Sequence, residues 1–374
     1  MKKFLAFVMA ASMALSLAAC GGSSASTATS TTTEATSEAA ASTSGSKTDV
    51  AFVTDVGNID DQSFNQYTWQ GVQDFCSANS LNANYYRPSE DSDAARLEQM
   101  DNAVNDGAKS IVVAGYLFGK AIAEAQEKYP DVQFLALDVS AGDLGDKAPT
   151  ANTALITYKE EQAGYLAGYA AVYDGYKELG FLGGMEVPAV IRYGFVQGAD
   201  AAAKEIGADD VHIKYWYSQV FAANDEIKNK MDGWYSEGTE VVFACGGPVC
   251  QSCDAAAQAN GGKMIGVDVD QSGQFDTVIT SATKGLAESV NEALTDALNN
   301  GWKFSETYSG KETKLGAAEN CVGLPMSTSK FTKFTQEQYD SMYASIVDGT
   351  LAIDDSYDAD VKPAVTTIAV DYQN

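Results

Sequence analysis

Short apolar runs alternate with longer amphipathic stretches along most of the chain. The apolar runs lie at residues 50–53, 110–114, 134–137, 179–182, 211–215, 241–244, 264–267 and 278–280. Stretches with helical spacing lie between them at residues 92–106, 119–129, 160–173, 189–206 and 225–237. Strands that alternate with helices are typical of βαβ units, so the pattern predicts an α/β fold of parallel sheets flanked by helices.

The length of the chain predicts more than one core. Residues 49–374 are too many for one small core and fit two lobes of about 150 residues each. Both halves show the same alternation of strand and helix, so we expect two α/β lobes, each with its own parallel sheet.

The loop after the first apolar run carries the densest set of candidate binding residues. In open α/β sheets, ligands bind beyond the carboxyl ends of the strands, so this loop is expected at the mouth of a crevice. The candidates are Asp55, Asp61, Ser63, Phe64 and Asn65. Turn formation or helix capping explains Asp55 and Asp61 equally well, and Phe64 could instead be a core residue at the helix start.

The first twenty residues predict export and lipidation. Two lysines precede an apolar run at residues 4–17, and small residues lead to Cys20. This order is typical of a signal peptide, residues 1–19, whose removal exposes a cysteine for lipidation, and the run is short for a membrane span. Residues 20–48 are rich in Ser, Thr and Ala and predict a flexible tether. We therefore expect the protein on the extracytoplasmic face of the cell membrane, held there by a lipid.

The charge balance argues against anionic partners. The chain carries 24 Lys and Arg residues against 51 Asp and Glu residues, a formal net charge of −27. Loss of the signal peptide removes Lys2 and Lys3, which changes −27 to −29. Such a surface repels nucleic acid and anionic headgroups, so we expect no nucleic-acid partner and membrane contact through the N-terminal lipid alone.

Motifs for catalysis or metal binding are incomplete. His212 is the only histidine, which argues against histidine-dependent triads and multi-histidine metal sites. Residues 268–273 resemble the start of a calcium loop, but the twelfth position is Ile279, which offers no carboxylate. Cys250 and Cys253 form the single Cys-x-x-Cys string, for which buried thiols are the favoured interpretation and redox chemistry the alternative. We expect no enzymatic activity, no cofactor and no metal.

A series of motifs between residues 50 and 284 points to one family. They are TDVGNIDDQSFNQ at 54–66, YPD at 129–131, FLALD at 134–138, EEQAGYLAG at 160–168, GGM at 183–185, CGG at 245–247 and IGVDVDQ at 265–271. Together they resemble the basic membrane protein (BMP) family, substrate-binding lipoproteins of ABC transporters. The resemblance implies a two-lobed periplasmic-binding-protein fold of type I and a purine nucleoside ligand.

In the first lobe, the resemblance implies that Phe64 stacks on the base and that Ser63 and Asn65 offer hydrogen bonds. Asp138, which ends a predicted strand, would face the purine edge, although a turn or helix cap could also require an acid there.

In the second lobe, the family's aromatic residue matches Phe221, with Trp216 or Tyr217 as alternatives because Gln219 and Val220 depart from the family pattern. Asp268 and Lys284 would hold the sugar, since a carboxylate accepts from two hydroxyls and an ammonium donates to the same oxygens. Gly246 and Gly247 would leave room and backbone donors beside them.

The resemblance also implies three crossings between the lobes, which we place near Asn152, Thr280 and Pro325. The predicted first lobe is then residues 49–152 plus 281–325, and the second is residues 153–280 plus 326–374.

The resulting hypothesis is a monomeric, lipid-anchored receptor that captures adenosine, guanosine or inosine and presents it to an ABC permease and its ATPase. The alternatives are a receptor for free sugars or another small polar ligand, a surface enzyme that cleaves nucleosides, and an adhesin or sensor.

Overall fold

The computed structural model describes residues 47–55, 57–186, 191–356 and 361–373. The predicted signal peptide, Cys20 and nearly all of the predicted tether lie outside the described residues. Within the described ranges, no helix has both the length and the apolar character that crossing a bilayer requires.

Strands and helices alternate along the chain. The strands are β1 (Val50–Val53), β2 (Ala83–Tyr86), β3 (Ser110–Ala114), β4 (Gln133–Leu137), β5 (Thr153–Tyr158), β6 (Glu178–Gly183), β7 (His212–Tyr217), β8 (Val241–Cys245), β9 (Lys263–Asp268), β10 (Val278–Lys284), β11 (Lys311–Leu315), β12 (Val322–Gly323) and β13 (Ala369–Gln373). The helices are α1 (Phe64–Asn79), α2 (Asp93–Asn105), α3 (Gly119–Lys128), α4 (Glu160–Asp174), α5 (Ile191–Ile206), α6 (Asp225–Ser236), α7 (Val249–Asn260), α8 (Leu286–Asn299) and α9 (Gln336–Val347).

The strands form two sheets, which define the two lobes. The sheet of the first lobe has the order β11-β5-β4-β3-β1-β2, and all its neighbours are parallel. The sheet of the second lobe has the order β12-β10-β9-β8-β6-β7-β13, parallel except for the β10–β12 pair. The predicted α/β fold with parallel sheets is confirmed.

Helices cover both faces of the first sheet, which is why its central strands are continuously apolar. Successive residues of β1 illustrate this arrangement. Phe52 belongs to a core cluster with Trp69 of α1 and Val290 of α8, whereas Val53 belongs to a second cluster with Met100 of α2. Strands buried on both faces are mostly apolar, and in β1 and β4 the polar residues Asp55 and Asp138 follow the carboxyl end.

The crossings between the lobes differ from the predicted boundaries. β5 pairs with β4 and β11 in the first sheet, so the first crossing follows Tyr158 rather than Asn152. All of β10 pairs within the second sheet, which moves the second crossing from Thr280 to just beyond Lys284. The third crossing lies between β11 and β12, before Pro325. Residues 153–158 were not among the predicted strands, and the run predicted at 278–280 continues to Lys284, so both crossings were placed too early.

Candidate functional site

The carboxyl ends of both sheets enclose a cavity of about 370 Å³. From the first lobe it is lined by Asp55, Gly57, Asp61, Phe64, Asn65, Gly115, Tyr116, Leu117, Asp138, Ser140, Asp143, Thr157, Tyr158, Glu312 and Lys314, and from the second lobe and its connections by Glu160, Phe181, Met185, Tyr217, Phe221, Cys245, Gly246, Gly247, Pro248, Val267, Asp268 and Lys284. Every ligand-binding residue predicted from the sequence lines this cavity except Ser63. The two predicted groups, one from each lobe, are thus brought together.

Asp61 organises the start of α1. Its carboxylate accepts hydrogen bonds from the backbone N–H groups of Ser63 and Asn65, both at 2.9 Å, and of Gln66 at 3.0 Å. Burial raises the pKa of Asp61, and these hydrogen bonds oppose the rise. The capping role left open by the sequence is therefore present, and Asp61 fixes the loop that carries Phe64.

Asn65 is engaged within the same loop. Its amide nitrogen donates to Asp55 and to Asp61, both at 2.9 Å, and its amide oxygen accepts from the backbone N–H of Asp55 at 3.3 Å. Both hydrogens of the amide are thus used inside the protein, so the expectation that Asn65 offers them to a ligand is corrected. Asn65 instead holds Asp55, whose pKa is raised by burial, against the cavity wall.

Ser63 also has a supporting position. It is fully buried, and its hydroxyl donates to Asp268 of the second lobe at 2.5 Å. The sequence placed Ser63 among the ligand-binding residues because its loop faces the crevice. The Ser63 hydroxyl instead bonds to Asp268, the acid that the second lobe supplies.

Asp138 and Asp268 occupy matching places in the two lobes. Asp138 follows β4 and Asp268 closes β9, and both have left-handed backbone conformations, with φ of 52° and 69°. Such conformations are uncommon outside glycine and cluster at functional sites, because the surrounding structure must hold them. Each turns a carboxylate toward the space between the sheets.

Lys284, at the end of β10, joins these acids. Its ammonium lies 2.6 Å from Asp138, 2.7 Å from Glu160 and 3.3 Å from Asp268. The ring centroid of Phe64 lies 4.9 Å from the same nitrogen. Burial alone would lower the pKa of Lys284, but the three acids hold it well above its ordinary value. Burial raises the pKa of Asp138 to about 7, against the attraction of Lys284.

The second lobe supplies its aromatic groups from β7 and the following loop. Phe221 and Tyr217 line the cavity, whereas Trp216 packs in the core cluster on the other face of the sheet, with Met231 of α6. A Cβ at Gly184 would lie 2.5 Å from the Phe221 ring, so the absence of a side chain at Gly184 leaves room for this ring. Neighbouring strand residues point to opposite faces, which separates Tyr217 from Trp216.

Gly246 and Gly247 line the cavity at the turn between β8 and α7, where Gly247 has a φ of +57°. Cys250 and Cys253 follow in α7 and are buried, and burial raises the pKa of each thiol to about 12. Protonated, inaccessible thiols are poor nucleophiles, which favours the structural interpretation of the Cys-x-x-Cys string.

Sequence reasoning missed Glu160, Tyr158, Glu312 and Lys314. Glu160 stood within the quoted EEQAGYLAG motif, but its pairing with Lys284 depends on a crossing that was placed six residues too early. Glu312 and Lys314 lie on β11, whose alternating charges gave no strand signal. Among the described residues, no group of His, Cys, Asp and Glu side chains is arranged to hold a metal ion.

Comparison with known proteins gives a consistent picture. The family described as "ABC transporter substrate-binding protein PnrA-like" (Bmp) matches residues 48–356. A "CD4+ T-cell-stimulating antigen" of Listeria monocytogenes is 27% identical over 327 residues, which cover 81% of this chain and 87% of the relative. The "ABC transporter nucleoside-binding protein BmpA" of Lactococcus lactis is 30% identical over 245 residues, 61% of this chain and 67% of the relative.

Solved structures agree at the level of the fold. An ABC transporter solute-binding protein from Aeropyrum pernix superimposes with a TM-score of 0.69 at 20% identity, covering 84% of this chain and 95% of that one. An ABC transporter substrate-binding protein takes a small ligand and works with the permease and ATPase of its transporter. The chain belongs to the Bmp family of such proteins and is a solute-binding protein rather than an enzyme.

Proposed function

We propose that the cavity binds a purine nucleoside, adenosine, guanosine or inosine, and that the protein delivers it to an ABC permease for import. The observation that carries the proposal is that Phe64 and Phe221, from opposite lobes, line one cavity. Two rings on either side of a purine would contribute about 0.5–1.5 kcal/mol each beyond area burial. A flat heterocycle gains from both rings, whereas a free sugar gains little.

The polar end of the cavity suits a pentose. Asp268 and Lys284 lie within 3.3 Å of each other, so neighbouring hydroxyls could bond to both at once. Hydrogen bonds to charged groups contribute about 1.5–3 kcal/mol each. Asp138, with 23% of its side chain exposed, is available to the purine edge.

The charge of the cavity favours a nucleoside over a nucleotide. Its carboxyl groups outnumber its ammonium groups, since Asp55, Asp61, Asp138, Asp143, Glu160, Asp268 and Glu312 line it together with Lys284 and Lys314. A phosphate would meet net repulsion there, because like charges at short range in a partly desolvated site interact strongly. The name of the nucleoside-binding relative from Lactococcus lactis supports the same ligand class.

We also propose that Cys20 is lipidated and anchors a monomeric receptor to the extracytoplasmic face of the membrane. The apolar run at residues 4–17 and the small residues before Cys20 support this. Cells given a labelled fatty acid should incorporate the label into the wild-type protein and not into a Cys20→Ser variant. Equal label in the two proteins, or none in the wild type, would contradict the anchor.

Titration calorimetry tests the ligand assignment. The mature protein should bind guanosine, inosine or adenosine with a 1:1 stoichiometry, and ribose or guanosine 5′-monophosphate at least about a hundredfold more weakly. If ribose bound as tightly as the nucleosides, the ring sandwich would be wrong and the alternative of a free-sugar receptor would stand. Chromatography of the recovered ligand should show the nucleoside intact, since a nucleoside-cleaving enzyme would release base and sugar.

A further inference from the structure

Two segments beside the cavity join the lobes directly. In addition to the Ser63–Asp268 bond, the side-chain nitrogen of Gln271 donates to the backbone carbonyl of Gln62 at 3.0 Å. We call these four residues, Gln62 and Ser63 of the first lobe with Asp268 and Gln271 of the second, the lobe clasp. Gln271 does not line the cavity.

Gln271 is built firmly into the second lobe. It is fully buried, its side-chain oxygen accepts from the N–H of Val267 at 3.0 Å, and its backbone N–H donates to Ser281 at 3.1 Å. A Cβ at Gly266 would lie 2.5 Å from that side-chain oxygen, so β9 makes room for the glutamine. The side chain therefore folds back over the strand that ends in Asp268.

This placement gives the amide two tasks. Its oxygen fixes the backbone immediately before Asp268, which has a left-handed conformation, and its nitrogen reaches the other lobe. The partner loop is equally fixed, because Asp61 holds the N–H groups of Ser63 and Asn65. Both segments of the clasp are already held in place within their own lobes. Their contact therefore requires little further ordering of side chains.

We propose that Gln271 is a positioning residue for ligand capture, which holds Asp268 toward the cavity and fastens the lobes together so that the ligand escapes slowly. The inference rests on the proposed use of the cavity as the ligand site. Loss of one clasp bond should act mainly on dissociation, because diffusion into an open crevice does not require the clasp.

Three variants test the clasp in the mature protein. Gln271→Glu keeps an acceptor for Val267, but when ionised it places a carboxylate against the Gln62 carbonyl. Gln271→Met removes the side-chain bonds to Val267, Gln62 and Cys250 at similar volume. Ser63→Ala removes the other clasp bond from the first lobe. The control, Thr277→Val, removes a buried hydrogen bond to Asp254 that lies wholly within the second lobe.

Stopped-flow kinetics with guanosine should show dissociation about tenfold faster for each clasp variant. Association should be no slower than in wild type, because loss of the clasp leaves the crevice open. For Gln271→Glu, dissociation should slow again at pH 5, because a protonated carboxyl can donate to the Gln62 carbonyl as the amide does. Wild-type dissociation rates in both Gln271→Met and Ser63→Ala, or an equal acceleration in Thr277→Val, would overturn the proposal.

Small-angle scattering without added nucleoside separates the clasp from the ligand assignment. Gln271→Glu at pH 8 and Ser63→Ala should each have a larger radius of gyration than wild type, while Thr277→Val should not. If the radius of gyration of the clasp variants increases but the wild-type protein does not bind guanosine, the ligand assignment is wrong and the clasp stands. If the radius of gyration is unchanged in both clasp variants, the clasp proposal is wrong.

Discussion

Asp138 and Asp268 stand at equivalent strand ends of the two lobes and contact the same lysine, yet they are held very differently. Asp268 is buried to 8% exposure and receives the Ser63 hydroxyl from the opposite lobe as well as Lys284. Asp138 keeps 23% of its side chain exposed, and its carboxylate accepts a hydrogen bond from Lys284. Matching topology has produced one acid that is locked in the lobe interface and one that remains accessible to a ligand.

The difference shows how one fold can divide two tasks between like residues. Asp268 bonds to Ser63 of the first lobe and pairs with Lys284 of its own lobe. Asp138 reaches across to Lys284 and keeps part of its carboxylate exposed to the donors of a bound base. Lys284 links the two acids, because its ammonium pairs with both of them and also with Glu160.

Removal of the shared lysine should have the largest effect. Lys284→Met would leave three carboxyl groups without their cation in a buried site, and such losses cost about 3–5 kcal/mol of unfolding free energy. Urea denaturation at pH 7 should show this loss, with partial recovery at pH 5 as the acids take up protons. The matched control is Lys314→Met, whose lysine is 40% exposed and paired with Asp355, and which should cost less than about 1 kcal/mol. If the two variants lost the same unfolding free energy, the ion pairs of Lys284 would contribute no more to stability than an exposed ion pair.

Alanine at each acid should separate their tasks. Asp268→Ala should weaken guanosine, inosine and adenosine alike, by about 1.5–3 kcal/mol or roughly 10- to 150-fold, because the pentose and the clasp are common to all three. Asp138→Ala should change the three affinities by unequal factors, because it faces the base. Calorimetry with the three nucleosides distinguishes these patterns. An equal loss of affinity for all three nucleosides in Asp138→Ala would contradict the claim that Asp138 faces the base.

The pH dependence of stability should also single out Asp138. Its pKa rises from 3.8 in a model peptide to about 7 in the folded protein. Between these values the folded chain retains a proton on Asp138 that the unfolded chain releases, so the contribution of Asp138 to the unfolding free energy falls as pH rises from about 4 to about 7. The slope from one such group is at most about 1.4 kcal/mol per pH unit.

Asp138→Asn should flatten this part of the stability curve when thermal midpoints are measured every half pH unit. Burial also raises the pKa values of Asp55, Asp61 and Glu161, the last to about 6, and these contribute the same sign in both proteins. Only the difference between the curves reports on Asp138, and parallel curves would contradict its raised pKa.

The smallest expected effect concerns two adjacent aromatic residues of β7. Tyr217→Ala should weaken guanosine binding about two- to tenfold, because its ring lines the cavity. Trp216→Ala should leave the affinity within about twofold and lower the thermal midpoint instead, since its ring packs on the opposite face of the sheet. If Trp216→Ala weakened binding and Tyr217→Ala did not, the face of β7 that carries Trp216 would be the one that contacts the ligand.

The sequence predicted the fold and the cavity-facing strand ends better than the roles within the site. Phe64, Asp138 and Asp268 follow apolar strands, and parallel strands end at a common edge, so their convergence could be predicted. The sequence did not predict the bond from Asn65 to Asp55 or the bond from Ser63 to Asp268. These bonds depend on side-chain directions and on the approach of the other lobe, which periodicity does not encode. The crossing at Tyr158 was misplaced because residues 153–158 were not predicted as a strand, and their pairing with β4 and β11 is a long-range contact that the local pattern does not encode.

A crystal structure of the mature protein with bound guanosine is the decisive experiment for the ligand site. We expect the purine between Phe64 and Phe221, with the pentose hydroxyls within hydrogen-bond distance of Asp268 and Lys284. A nucleoside bound elsewhere, or bound in this cavity with its base away from both rings, would contradict it.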